Sequence, residues 1–364
     1  MLKLLQRLVE MESPSYSKAA VDRLGKFVAT EFRRRGAKVD FLRAKDYGNT
    51  LRAVVGAKLP GKPILVMGHL DTVYAMGTLK QTPFRVRGGR AYGPGTLDMK
   101  AGIVFCLFAL DALGALKLSP ASPLVFLLDG DEEISSGASY PHIRGEARRS
   151  RMAMVLEPAA NLKGALKTAR KGVGEFHISV EGRGAHAGIN PQDGVNAITE
   201  LSRQLVKIES WMKGRKGLSL NAGIIQGGTR SNVVPEKAEA WVDVRIERAA
   251  DETWMERKMR SLRPIKKGAK LRITGGVRRP PMVRTAKIAG LFRQAKSVAA
   301  ELGIHLTETS TGGGSDGNIT AAMGVPTLDG LGAVGEGAHS SGEYVLIREL
   351  PRRTALLAAL LARL

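Results

Sequence analysis

An α/β domain with a mixed sheet, interrupted by a smaller inserted α+β module, is the fold this sequence predicts, and three observations predict it. Short apolar, β-rich runs alternate with helical stretches over residues 1–171, the pattern of a sheet covered on both faces. Between 172 and 276 the texture changes to strands that alternate apolar and polar residues around two helices, as in a four-stranded sheet with one exposed face. From Arg278 to Met282 onward the first texture returns and holds over 277–364. At 364 residues, two domains are the natural expectation. A composition 43% hydrophobic and 25% charged supports a buried core and excludes global disorder.

The chain opens with MLKLLQRLVEMESPS, which spaces its apolar residues helically around Lys3, Arg7, Glu10 and Glu12 and stops near Ser13 and Pro14. That is an amphipathic helix, not the clean apolar core of a signal peptide. A second helix is predicted over 18–35, ended at Gly36. Strands are predicted at 51–55, 64–67, 124–128 and 152–156, with a helix over 101–116 between the second and third. In the module, a strand over 175–182 is followed by a helix over 195–212, two further strands in LSLNAGIIQGG and AEAWVDVRIE, a helix over 251–262 and a strand near 271–274. A helix over 287–302, a strand over 325–328 and a closing helix over 348–364 complete the chain.

Charge and cysteine usage narrow the function classes. Lysine and arginine number 56 against 34 acidic residues, a net charge of +22. Such an excess fits nucleic-acid binding or a field that draws in small anionic substrates. The basic residues fall in short scattered groups, at 33–35, 148–151, 266–267 and 278–279, and aromatics are only 5%. Without a recognisable module or stacking platforms, a nucleic-acid partner is not expected. The single cysteine, Cys106, lies in an apolar stretch, so no intrachain disulfide can form, and a buried thiol fits a reducing compartment. No apolar run approaches the ~18 residues of a membrane span. A cytoplasmic protein without a membrane partner is therefore expected.

The chemistry lies at the ends of the apolar runs. The stretch LVFLLDGDEEISSG, from Leu124 to Gly137, ends a strand in Asp129, Asp131, Glu132 and Glu133. An isolated acidic run is ordinarily a solvated face, but other strands end in the same way. ILVMGHLD places His69 and Asp71 after a strand, GPGTLDMK places Asp98 in a Gly-rich turn before a helix, MAMVLEP supplies Glu157, and the loop after 325–328 carries His339. Ligands of open α/β sheets bind beyond the carboxyl ends of the strands. Two histidines and several carboxylates delivered there suit a pair of divalent ions, zinc first, with cobalt or manganese as alternatives. The cations would neutralise the acidic cluster at 129–133. His142, His177 and His305 have no such setting and read as structural.

At this point the motifs resemble a known family. HLDTVYAMGTLKQTPFRVRGGRAYGPGTLDMKAG, from His69 to Gly102, is similar to the signature of the di-zinc metallopeptidases that include carboxypeptidase G, aminoacylase and the ornithine and succinyl-diaminopimelate deacylases. The resemblance is nearest to the carboxypeptidase G (glutamate carboxypeptidase) branch. It continues through DEE, LEP, GRGAHAG, SNVVP, VDVR, TGGGSDG and the His339 segment, and so spans most of the chain.

The resemblance implies a di-zinc exopeptidase catalytic domain with a lid or dimerisation module at 172–276, and hence a homodimer. It implies that Asp98 bridges two zinc ions, that His69 and Glu157 complete one shell, and that Glu133 and His339 complete the other. Asp71 would orient the His69 ring, Glu132 would be the general base, and the Asp98–Met99 peptide would be cis. In the module, His186 would reach the substrate carbonyl, in many members from the partner subunit. Asn232 and Arg245 would bind the substrate's terminal carboxylate, with Gly312, Gly313 and Gly314 lining the pocket; without the resemblance, Arg245 reads equally as half of a surface ion pair. The implied activity is hydrolysis of an amide bond beside a free carboxylate, releasing a glutamate-like amino acid from a peptide or N-acyl conjugate. An N-acyl-amino-acid deacylase is the nearest alternative. A metal-binding scaffold without turnover, attracting anionic partners, is a third reading that an intact Glu132 argues against.

Overall fold

The computed structural model describes residues 1–364, which form two compact units. The first comprises Met1–Ala169, Arg284–Thr311 and Ser315–Leu364, and the second Arg170–Val283 with Gly312–Gly314.

The first unit is built on a six-stranded mixed sheet. Its order is Lys38–Leu42, Gly48–Val55, Leu124–Gly130, Ile64–His69, Met152–Val155 and Thr327–Leu328. Parallel pairing joins the last four of these, and an antiparallel hairpin closes one edge. Every residue of Ile64–His69 and of Leu124–Gly130 is buried, as a strand covered on both faces requires. One cover is the helix Ala101–Ala115, apolar nearly all round and packed on the closing helix Glu349–Arg363. Cys106 is buried in that helix, and burial pushes its thiol well above the ordinary range. The helix Lys18–Arg34 also packs on the sheet, bringing the Phe32 ring within 5.0 Å of Phe126.

Parallel strands deliver their carboxyl ends to one side, which is why His69, Glu132, Glu133 and Glu157 can converge. A second device brings in the remaining residues. A small sheet of four strands runs in the order Gly335–Glu336, Tyr344–Leu346, Arg90–Tyr92 and Arg85–Arg87. Antiparallel pairing of Tyr344 with Tyr92 sets the residues just before 344 beside those just after 92. The loop holding His339 and the turn holding Asp98 therefore meet. None of these four short strands is legible as periodicity, since each has only two or three residues. The Asp98–Met99 peptide is cis. The Met99 side chain fills space that two glycines leave open: a Cβ on either Gly68 or Gly102 would collide with its Cε.

The second unit carries a four-stranded antiparallel sheet in the order Ser219–Gly227, Lys237–Ile246, Gly172–Glu181 and Lys270–Arg279. Burial alternates strictly along Lys237–Ile246, the period-2 signature of a sheet with one packed face. Phe176, Ile178, Leu201, Ile208, Val242, Val244, Met255 and Met259 form its core with the helices Ala197–Ser210 and Ala249–Arg260. Asn196 caps the first of these, its side chain accepting from Thr199 N–H at 2.9 Å. The last strand is longer than the sequence indicates, and Arg170 and Met282 exchange backbone hydrogen bonds at 3.0 Å. These pairings carry the unit beyond 172–276 at both ends. No helix of the chain is long and apolar enough to cross a membrane.

Candidate metal centre

Asp98 lies between the two histidines. Its Oδ1 is 3.2 Å from His69 Nε2 and its Oδ2 is 3.3 Å from His339 Nε2. Glu157 Oε1 is 3.4 Å from the same His69 nitrogen, and Glu133 Oε2 is 3.2 Å from His339 Nε2. Ligand-type atoms of His69, Asp98 and Glu133 lie within 4.8 Å of one another, as do those of His69, Glu132 and Glu157. The five residues assigned to ions and the one assigned as base thus occupy one cluster at the carboxyl ends of the sheet.

The His69 ring is oriented by its other nitrogen. Nδ1–H donates to the backbone carbonyl of Asp71 at 2.9 Å, so Nε2 is the nitrogen that faces Asp98 and Glu157, the ring orientation a metal ligand needs. The Asp71 carboxylate is farther from Nδ1, at 3.5 Å. It is occupied elsewhere, accepting from Ser15 Oγ at 2.7 Å and from the N–H groups of Glu132 and Glu133 at 3.1 and 3.2 Å. The side chain of Asp71 thus fixes the acidic turn, while its main chain fixes the imidazole.

The electrostatics are those of a cluster short of positive charge. Burial alone would raise Asp98, but hydrogen bonds from His339 and His69 hold it well below the carboxylate range. Burial raises Glu133. Burial would lower His69, yet hydrogen bonds with Asp71, Asp98 and Glu157 keep it well above its ordinary value. Hydrogen bonds with Asp98 and Glu133 push His339 up to about 10. Both shifts mark a site that favours positive charge. Glu133 Oε1 is buried without a hydrogen-bond partner, a costly state for a carboxylate oxygen that an ion would relieve. The residues fit a divalent metal.

The acidic run at 129–133 divides in two. Only Glu132 and Glu133 join this cluster. Asp131 accepts from Ala138 N–H at 2.6 Å and Ser139 Oγ at 2.5 Å, and Asp129 accepts from the same hydroxyl at 2.9 Å. Burial, with Asp316, Asp71 and Asp131 nearby, pushes Asp129 well above the carboxylate range. Hydrogen bonds hold Asp131 and one oxygen of Asp129, while Asp129 Oδ1 is buried without a partner.

Glu343 is a residue that the motifs do not single out. Its Oε2 accepts from Tyr74 O–H at 2.6 Å and Gly95 N–H at 2.8 Å; its Oε1 accepts from Leu97 N–H at 2.6 Å and Asp98 N–H at 2.9 Å. One buried carboxylate, four residues after His339, therefore clasps the turn that carries Asp98. Its only signal in the sequence is its place beside His339, in a segment otherwise plain.

In the second unit, His186 Nδ1 accepts from the N–H groups of Gly188 and Ile189, both at 3.1 Å, leaving Nε2 free. Ala187 N–H donates to Asn232 O at 2.9 Å, so His186 and Asn232 sit on neighbouring segments. Arg245 donates through Nε and Nη2 to the two oxygens of Asp243, at 2.8 and 2.9 Å, and through Nη1 to Gly312 O at 3.4 Å. Its planar fork is engaged by a neighbour on its own strand, and no hydrogen bond links it to His186 or Asn232. A Cβ on Gly314 would lie 2.7 Å from Val173 Cγ2, so the loop packs too closely for a larger residue.

Residues 65–363 match the model of peptidase family M20/M25/M40. The chain belongs to that family. It is 32% identical to carboxypeptidase G2 of Pseudomonas sp. (strain RS-16) over 370 aligned positions, covering 99% of this chain and 88% of the relative. It is 26% identical to the succinyl-diaminopimelate desuccinylase of Dechloromonas aromatica (strain RCB), covering 83% and 84%. The fold is shared with the crystal structure of aminopeptidase PepT from Bacillus cereus ATCC 10987, with a TM-score of 0.80 at 21% identity over 100% and 97% of the two chains. As a family M20 member the chain is a hydrolase of the metallopeptidase class with a candidate metal site.

Proposed function

We propose that this M20 hydrolase cleaves an amide bond beside a free carboxylate and releases a C-terminal, glutamate-like amino acid from a peptide or N-acyl conjugate. The observation that carries the reading is Asp98 lying between His69 and His339, with one oxygen facing each. His69, Asp98 and Glu157 would hold one divalent ion, and Asp98, Glu133 and His339 a second. Zinc suits these nitrogen and oxygen donors, with cobalt or manganese as alternatives. When bound, such a pair polarises the scissile carbonyl and makes a neighbouring water more acidic.

The chain's own residues do the rest. Glu132, buried beside the ligands, takes a proton from the attacking water and returns it to the departing amine. Asp71 holds the backbone of Glu132 and Glu133 and so aims both. In the second unit, His186 would meet the substrate carbonyl, and Asn232, Arg245 and the Gly314 loop its terminal carboxylate. With the Arg245 fork engaged by Asp243, a substrate carboxylate would use Nη1 or displace that partner. The exposed edge of the module, with Ile224 and Ile225 open on Ser219–Gly227, supports pairing of two chains; light scattering that finds a fully active monomer at micromolar concentration would remove it. The buried single cysteine supports a cytoplasmic setting.

Glu132→Gln tests the hydrolase reading. It should keep fold and metal content and lose turnover by ~10²–10⁴-fold, the usual contribution of a positioned base. Near-normal kcat would place the base elsewhere, and lost metal would make Glu132 a ligand. For the carboxylate, Arg245→Ala should lower kcat/KM by about one to two decades on free-carboxylate substrates, the worth of a charged hydrogen bond of ~1.5–3 kcal/mol. Substrates blocked as amides should show almost no such difference. The same ratio on both would make Arg245 structural. Likeness to a desuccinylase favours, as a second reading, an N-acyl-amino-acid deacylase; a panel of peptides and N-acyl amino acids separates the two.

A further inference from the structure

The hairpin at the edge of the small sheet of the first unit carries a row of arginines. Its sequence, from Arg85 to Tyr92, is RVRGGRAY. Gly88 and Gly89 both have positive φ, 57° and 71°, as in the two-residue turns that suit the twist of antiparallel strands. The turn fixes the register, with Arg85 opposite Tyr92 and Arg87 opposite Arg90. Side chains alternate along a strand, so all four lie on one face, joined there by Tyr344, which pairs with Tyr92. The other face belongs to the core, with Ala91 and Val345 fully buried.

The open face forms a hollow of about 550 Å³ lined by Arg85, Arg87, Gly88, Arg90 and Tyr92. That size falls in the ~300–1,000 Å³ range of small-molecule sites. All three arginines are exposed, and no carboxylate pairs with any of them. The acid on this face, Glu336, is in register with Tyr344 and accepts from its O–H at 2.7 Å. Two of the guanidiniums are steadied by rings. Arg85 lies 5.1 Å from the centroid of Tyr92 and Arg90 4.4 Å from that of Tyr344, and the two rings are 5.5 Å apart. Stacking leaves the N–H fork of an arginine free to meet a ligand. Arg87 and Arg90 are like charges directly opposite each other, which destabilises a ladder. Charged side chains do protect sheet edges, but Arg90 is on the inner strand of the hairpin, where no edge needs protecting. An anion between the two would turn a repulsion into two attractions.

We propose that this face is a binding site for an oligophosphate, a chain of two or three phosphoryl groups, and that it goes beyond the hydrolase reading and does not depend on it. None of its lining residues belongs to the metal cluster. Guanidinium forks match phosphate oxygens bidentately. Three of them, about 5 Å apart across the ladder and about 7 Å apart along the strand, span more than one tetrahedral anion can fill. A chain of phosphates fits that spacing, and a lone phosphate does not. A nucleic-acid strand fits less well, because the tyrosine rings are already covered by guanidiniums and offer bases no face to stack on.

Calorimetry on the full chain tests it, with inorganic tripolyphosphate and orthophosphate as probes and a chelator pretreatment so that no metal captures either. Tripolyphosphate should bind at one site and far more tightly than orthophosphate. Arg87→Gln combined with Arg90→Gln, at exposed positions, should weaken it by roughly tenfold or more, the worth of lost charged hydrogen bonds. Arg148→Gln combined with Arg149→Gln removes the same charge from another exposed group and should leave binding nearly unchanged. Equal weakening by the two pairs would reduce the effect to the general field of a chain of net charge +22 and overturn the site. Equal affinity for the two anions would overturn it as well. An oligothymidylate that binds more tightly than tripolyphosphate, and loses that binding with Arg87 and Arg90, would assign the face to nucleic acid and overturn the proposal.

Discussion

His69 ends a strand in the middle of the buried sheet and is 1% exposed, whereas His339 occupies a hairpin loop with its side chain 51% exposed. The backbone of His339 is also unusual, with φ at 64°, a left-handed conformation that non-glycine residues adopt at a cost. Glu157 lies two residues beyond the end of a neighbouring strand, while Glu133 lies in a short turn held by Asp71. One half of the centre is thus part of the core, and the other is assembled from loops that must be held in place. Asp98 is common to both. The difference teaches that the two proposed ions should not be equivalent: the core half is preorganised, and the loop half depends on its supports.

Asp98→Ala breaks the comparison altogether, since it removes the carboxylate shared by both halves. Elemental analysis should find neither ion retained after dialysis, and turnover should fall below detection. His339→Ala should instead leave one ion per chain in the His69 half. An Asp98→Ala protein that keeps two ions would exclude a bridging role. Loss of both ions from His339→Ala would show that the halves are not separable.

Glu343→Gln sharpens the comparison by loosening only the support. The carboxylate accepts four hydrogen bonds; an amide turns one of its ends into a donor facing N–H groups. Supporting residues of this kind are worth about 10–100-fold in metal affinity. Zinc titration should show that loss for at least one ion, with the thermal melt of the metal-free chain changed much less. Unchanged affinity would mean the turn is rigid without its clasp.

Legibility in the sequence divides along the same line. His69, Glu132, Glu133 and Glu157 stand out because each lies within a few residues of the end of an apolar run, and hydrophobic periodicity also locates the large sheet, the long helices and the four-stranded sheet of the second unit. His339 and Asp98 are visible through their motifs, but nothing in the spacing shows how they meet. That depends on strands of two or three residues, such as Arg90–Tyr92 and Tyr344–Leu346, too short to leave a period. Glu343 reads as an ordinary surface acid until the fold buries it. The sorting of Asp129 and Asp131 away from the centre rests on Ser139 and the backbone at 138, contacts set by a turn that no run of residue types announces. Asp243 is two residues from Arg245 and so on the same face of its strand, a pairing that period 2 does permit one to see.

The smallest effect expected is a proton count, to which both raised imidazoles contribute and from which His339→Ala subtracts the share of the loop half. In the metal-free chain the His339 ring is held protonated, its pKa raised from 6.5 to about 10 by hydrogen bonds with Asp98 and Glu133. A metal requires the unprotonated nitrogen, so binding must displace that proton. Affinity of the loop half should then climb by about tenfold per pH unit for each proton displaced, at pH values below about 10. The stability of the metal-free chain should move the other way. A group whose pKa is raised on folding contributes stability that is fully present below 6.5 and lost as pH rises through about 10. Melting temperature of the metal-free protein should therefore fall between these limits, modestly because the ring is half exposed, and His339→Ala should flatten part of the slope. Calorimetric zinc titrations in two buffers of different ionisation enthalpy give the proton count directly. A count near zero at neutral pH would mean that His339 is already neutral, and that its contacts with Asp98 and Glu133 hold no proton for a metal to displace.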